Sequence, residues 1–140
     1  MDPEELRRFF DLRQEAWNRR DPDALVAGYV YDAVIESPAF GVVRGRPAIE
    51  EQYRSWFRTF PDFTFTREDL LIDGDHVAQT ARCTATHSGE FMGLPGTGRR
   101  ITIAAALFFR MKDGFILQER RIYDFTGFLM QLGILKGKLR

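Results

Sequence analysis

The sequence predicts an α+β fold, with helices in the first half of the chain and long antiparallel strands in the second. Two observations carry that reading. Apolar residues recur at helical spacing through residues 6–17 and again through 49–60. Beyond Pro61, two extended stretches flank Asp73-Gly74-Asp75 and two more flank Lys112-Asp113-Gly114, each a hairpin signal. Helices followed by hairpins place the helices on one face of a sheet.

The elements follow in order. Asp2 can cap a first helix, Pro3 fits its first turn and Glu5 completes a capping box. Leu6, Phe9, Phe10, Ala16 and Trp17 form its apolar stripe, with Arg13 the one polar interruption, and it should stop near Asn18 to Arg20. Asp21-Pro22 repeats the same pattern for a shorter helix through about Gly28. Tyr31 to Ser37 reads as a short strand, and Ser37-Pro38 with Gly41 to Gly45 as a turn or loop. Gly45-Arg46-Pro47 opens a third helix whose stripe is Ile49, Tyr53, Trp56 or Phe57, and Phe60. Pro61-Asp62 ends it. Strands are expected at Phe63 to Ile72, His76 to Ser88, Ile101 to Met111 and Phe115 to Tyr123. Between the two hairpins lies a glycine-rich loop, Gly89 to Arg100. A short helix up to Gly133 follows the last strand.

The length of 140 residues is that of a single domain, 1–140. Lys plus Arg equals Asp plus Glu at 20 each, which argues against a nucleic-acid partner, since phosphate binding needs a basic excess. The basic tail, Lys136 to Arg140, reads as a solvated terminus. One cysteine, Cys83, excludes an intrachain disulfide and reads as a small buried hydrophobe. The first residues are rich in Glu and Arg, unlike a signal peptide, and the longest apolar run, Ile103 to Phe109, is too short to span a bilayer. A cytoplasmic protein with no membrane partner is the expectation. Because Ile101 to Met111 is almost continuously apolar, both its faces should be covered, which points to a homodimer.

Asp124, at the joint between the last strand and the last helix, is the expected centre of the chemistry. If it points inward, strand alternation turns Ile122, Arg120 and Gln118 inward with it. A guanidinium two steps from a carboxylate can hold a carbonyl and move a proton beside it. It can equally be an ordinary ion pair. His87, before the glycine-rich loop, carries an imidazole that can act as acid, base or hydrogen-bond partner. His76 reads as exposed. The two histidines show no metal-site spacing. The loop carries no phosphate-binding motif and reads as an apolar flap through Phe91, Met92 and Leu94.

Thr86-His87-Ser88-Gly89-Glu90-Phe91-Met92-Gly93-Leu94-Pro95, Thr97-Gly98-Arg99, Phe109 to Gly114, Tyr123-Asp124 and Gln131-Leu132-Gly133 together resemble the SnoaL-like polyketide cyclases, as does the helix end Trp56, Phe60, Pro61 and Asp62. The likeness runs over nearly the whole chain. It implies an NTF2-like cone, in which a curved, antiparallel-rich sheet wraps the N-terminal helices around a deep apolar pocket. It implies aldol ring closure without metal or organic cofactor, or a related isomerase or lyase reaction on a small apolar, polyketide-like carbonyl compound. Asp124 matches the family's acid/base carboxylate and His87 its histidine. Arg120 would orient or polarise the substrate, and Tyr53, Trp56, Phe91, Met92 and Gln118 would line the pocket. Two departures stand out: Gly96 replaces a common second proline, and Arg120 replaces a common aromatic. Ketosteroid isomerase chemistry would look to an Asp near Ser37 and a Tyr near Arg13, both absent here. An epoxide hydrolase's Asp–Arg–Asp arrangement would need a second inward Asp; Asp69 is a candidate that nothing else in the sequence supports. The alternative function is a small-molecule-binding module with the same pocket and no chemistry.

Overall fold

The computed structural model describes residues 1–137. Of the basic tail, Lys138 to Arg140 lie outside the described residues. Helix α1 (Pro3–Arg19) is capped by Asp2, whose carboxylate accepts a hydrogen bond from the Glu5 backbone N–H at 2.8 Å. Helix α2 (Pro22–Val26) is capped by Asp21 in the same way, at 3.1 Å from Ala24 N. Strand β1 (Tyr29–Ser37) and helix α3 (Arg46–Thr59) follow the expected order. Gly41–Arg44, expected as loop, instead forms a short strand β2 antiparallel to β1. Its glycines suggested a turn, but only Gly41 is needed for one, with φ at +65° in the connection to β1. Val42, Val43 and Arg44 then pair normally, as β-branched residues favour.

The four long strands are β3 (Thr64–Asp73), β4 (His76–Thr86), β5 (Arg100–Lys112) and β6 (Phe115–Tyr123), and helix α4 (Phe125–Leu132) closes the described chain. One curved six-stranded sheet results, in the order β2-β1-β6-β5-β4-β3. Its pairs are antiparallel except for β1 beside β6. The core lies between the helices and the inner face of that sheet. Trp17 of α1 stacks on Phe65 of β3 with ring centroids 4.6 Å apart. Phe60, Phe91 and Phe128 bring together the end of α3, the flap and α4. Each such aromatic pair adds about 0.5–1.5 kcal/mol beyond its burial.

One irregularity decides which side chains of β6 face inward. Arg110 pairs with Gln118, but Met111 pairs with Ile116, so Leu117 is an extra residue in the ladder. Strict alternation from the buried Ile116 would carry Gln118, Arg120, Ile122 and Asp124 into the core. The bulge reverses this: Glu119 is buried, Arg121 and Tyr123 follow it inward, and Gln118, Arg120, Ile122 and Asp124 face out. The expected inward set is thereby corrected to its odd-numbered neighbours.

The flap between β4 and β5 is tied down by backbone bonds. His87 donates to the Arg99 carbonyl at 2.9 Å, Gly98 donates to the His87 carbonyl at 2.8 Å, and Ser88 and Gly89 both donate to the Thr59 carbonyl at 3.0 Å. Gly96 lies against this hub so closely that a Cβ there would overlap the Ser88 carbonyl oxygen. Replacing Gly96 by Ala should therefore cost about 1–3 kcal/mol, the usual range for overpacking. Urea unfolding should show a lower midpoint at unchanged slope; an unaltered midpoint would mean the flap shifts freely.

Candidate active site

An aromatic cavity opens between α1, α3, the β1–β2 turn and the inner face of the sheet. It encloses about 500 Å³ of empty space, its open mouth included. Trp17, Phe40, Trp56, Phe63, Phe65 and Leu107 form most of its wall, and Ser37, Gln52, Cys83, Tyr123 and Arg121 supply its polar atoms. Among the described residues, Arg121 is the single charged side chain of that wall.

Arg121 is fixed from behind. Its Nε donates to Glu119 Oε2 at 2.6 Å and one Nη donates to the Tyr53 hydroxyl at 2.8 Å. Glu119, with none of its side chain exposed, also accepts a short hydrogen bond from Tyr29. The Tyr29 and Tyr53 hydroxyls are 2.6 Å apart, and Arg13 donates to both, at 3.2 and 3.1 Å. Proton directions follow from these partners. The carboxylate only accepts, so Tyr29 donates to it and Tyr53 donates to Tyr29. Two guanidiniums and one carboxylate leave the cluster with one net positive charge.

Burial alone would push the Glu119 carboxyl up. Arg121 and Arg13, with the hydrogen bonds from Arg121 and Tyr29, outweigh it and hold the group below its usual value. Burial together with the neighbouring carboxylate raises Tyr29 well above an ordinary tyrosine. On the wall itself, burial pushes both the Tyr123 hydroxyl and the Cys83 thiol up to about 12. Cys83 is thus a neutral thiol in the cavity, not a thiolate nucleophile.

The residues singled out from the sequence are dispersed. Trp56 lines the cavity. Tyr53 is buried behind it, within the charged cluster. Phe91 is buried against Trp56 and Phe128, at 6.1 and 5.5 Å, and Met92 is exposed on the flap. Both border an outer groove that shares Phe40 with the cavity. His87 is fully buried under the flap, its Nδ1 2.9 Å from the Thr97 hydroxyl. Gln118 and Arg120 sit on the outer face of the sheet, with Arg120 4.0 Å from Glu36. Asp124 is exposed and caps α4, accepting from Gly127 N at 2.9 Å. Asp124, His87 and Arg120 do not share one cavity.

Sequence reasoning passed over Arg13, Tyr29, Glu119 and Arg121. Arg13 did leave a signal, as the one polar residue on an otherwise apolar helical stripe. Among the described residues no cluster of three or more His, Cys, Asp or Glu is placed to hold a metal ion, and no helix is long and apolar enough to cross a membrane.

The model of the SnoaL-like polyketide cyclase family matches residues 6–132. AclR from Streptomyces galilaeus, described as a candidate hydroxylase, superposes with a TM-score of 0.84 at 26% identity, over 96% of this chain and 100% of its own. IdmH from Streptomyces antibioticus, described as a candidate polyketide cyclase, is 33% identical over 89% of this chain and 96% of its own, with a TM-score of 0.74. TerC, co-crystallised with polyporic acid, shares the fold at 16% identity and a TM-score of 0.75, over 90% of this chain and 96% of its own. No curated protein matches the chain. The fold is the NTF2-like, ketosteroid-isomerase-like cone.

The cluster makes a pH-dependent prediction. In the native chain Glu119 lies below its unfolded value, so its stabilisation is present above pH about 4.3 and is lost as pH falls through the folded value. Arg121→Met leaves a buried carboxylate with Arg13 alone and should cost about 3–5 kcal/mol near neutrality. With burial less opposed, the Glu119 carboxyl should rise above its unfolded value. The defect should then shrink on acidification toward pH 4.5. Glu119→Gln in the same chain should recover part of the loss. Urea titrations at pH 4.5 and 8 measure all three, and a pH-independent defect would break the account.

Proposed function

The chain belongs to the SnoaL-like polyketide cyclase family, and we propose that its aromatic cavity is the active site of a ring-closing enzyme acting on a small, largely apolar polyketide-like carbonyl compound. The observation that carries this reading is the Arg121 guanidinium. It is held at two points by Glu119 and Tyr53 and faces a wall that is otherwise uncharged and mostly apolar. A fixed cation in a dry site stabilises charge that develops on oxygen, at no cost of reorganisation during the reaction.

In an aldol closure the carbon of an enolate attacks a second carbonyl carbon of the same molecule. The new C–C bond forms as the carbonyl π electrons move onto oxygen. Arg121 neutralises that alkoxide as it forms. Tyr123, still protonated because its hydroxyl is pushed up to about 12, can then give the alkoxide its proton and recover one from water at the mouth. Trp17, Trp56 and Phe65 hold a flat substrate in the folded conformation that brings the two carbons together. An isomerase or lyase passing through the same enolate would use the same groups.

The family resemblance gives the acid/base role to Asp124 instead. Its position on the outer face, capping α4, favours Arg121 and Tyr123. The two assignments separate in one experiment. For a substrate that cyclises, Arg121→Lys should lower kcat by about 10²–10³-fold, the range for losing one oxyanion donor. Asp124→Asn should leave kcat within about threefold and stability unchanged, since Asn caps helices as well as Asp. Loss of turnover in a folded Asp124→Asn chain would return the proton step to that residue. A pocket that binds ligand tightly with no product would make the chain a binding module.

A second copy covering the outer face of the sheet belongs to the same proposal. Phe108 and Ile122 stand 47% and 46% exposed there, with Ala106 paired opposite Ile122 and Ala104 next on the same face of β5. A patch of this kind marks an interface. Sedimentation should find a dimer, and Phe108→Arg should give a monomer. A monomeric native chain would remove the interface.

A further inference from the structure

We infer that the substrate of this cavity enters as a monoanion: an acidic enol, phenol or carboxylate, already ionised, whose negative oxygen pairs with Arg121. This rests on the reading of the cavity as the active site and adds the charge state of what it takes.

Three observations lead to it. First, the buried cluster of Arg13, Arg121 and Glu119 carries one positive charge in excess. Arg13 and Glu119 are 5% and 2% exposed, so solvent ions do little to offset it. An uncompensated buried charge is costly, and an anion in the cavity removes that cost. Second, Arg121 spends its Nε and one Nη on Glu119 and Tyr53, while its other Nη makes no hydrogen bond among the described residues. That donor belongs to the one charged side chain of the wall among the described residues. Trp17 Nε1 is likewise a buried donor without a partner, on another residue of the same wall. Third, among the described residues no carboxylate lines the cavity. Glu119 lies behind Arg121, outside the cavity lining, with one oxygen bonded to Arg121 and the other to Tyr29. A neutral carbon acid would find no base on the wall to ionise it. A substrate that arrives as its enolate or a conjugated phenolate, the proton already released to solvent, needs none, whereas a carboxylate meets only the first two observations.

The fit of charge can be tested apart from turnover with two inert probes of equal shape, 2-naphthoate and 2-naphthamide. By isothermal titration at pH 7 the native chain should prefer the carboxylate by about tenfold or more, the worth of a charge-assisted hydrogen bond. Glu119→Gln raises the cluster's excess charge and should widen the preference. Glu119→Gln with Arg121→Met should abolish it. A circular-dichroism melt of each variant shows that it is folded, and the native comparison stands without the variants. Equal binding of the two probes by the native chain overturns the anion inference and leaves the cavity as a ligand site. Binding of neither overturns both.

Discussion

The contact on which the structure turns is the Glu119–Arg121 pair at the floor of the cavity. Through Tyr29, Tyr53 and Arg13 it joins β6 to β1, α3 and α1, four elements far apart in the chain. Such a cluster contributes little to stability over a well-packed apolar set, because removing two guanidiniums and a carboxylate from water costs about as much as their attraction returns. What it supplies is geometry and charge. The guanidinium is held at two points, so its orientation survives the thermal motion that would blur a free arginine. The cations also keep Glu119 ionised, and that in turn fixes the direction of every proton in the tyrosine chain.

Around this floor the cavity is apolar, and the combination matters more than either part. In water an arginine–oxyanion contact is weak. In an enclosed aromatic pocket the same contact strengthens as the effective dielectric falls. In the proposed function, the walls that weaken competition from water are also those that would hold a flat, carbon-rich ligand. The polar groups left over, the hydroxyls of Ser37 and Tyr123, the amide of Gln52, the Cys83 thiol and the Trp17 indole N–H, are neutral. They can orient a ligand but cannot match a second charge.

Much of this was legible in the chain. Asp2-Pro3 and Asp21-Pro22 announced helix starts because a cap is a local event, written within a few residues. Asp73-Gly74-Asp75 and Lys112-Asp113-Gly114 announced hairpins for the same reason. The motif around His87, Tyr123 and Gln131 carried the family and with it the cone. What the chain did not show was the face of β6. A bulge at Leu117 depends on how two strands meet across the sheet, and no residue near it marks the place: Leu117 and Gln118 are ordinary strand residues. One extra residue then moved Glu119 and Arg121 inside and put Arg120 and Asp124 outside. Arg13 was visible as an anomaly on an apolar stripe, but its tyrosine partners lie 16 and 40 residues away, and such pairings are set by tertiary packing alone.

That misreading bears on how carboxylates should be weighed in this fold. Asp124 attracts notice because it sits at a strand end beside a helix start. Yet a helix start is also where an aspartate serves as a cap, and the Gly127 amide already occupies its oxygen. Glu119 attracts no notice, flanked by glutamine and arginines in a stretch that reads as solvent-facing, yet it is the carboxylate that shapes the cavity. It acts at one remove. By neutralising part of Arg121 and anchoring the rest, it turns a long flexible cation into a rigid one with a single free edge. A carboxylate facing the ligand would repel an anion; one placed behind the arginine leaves the positive edge forward. The order of these two residues from solvent inward, cation first and anion behind, is what gives the pocket its sign.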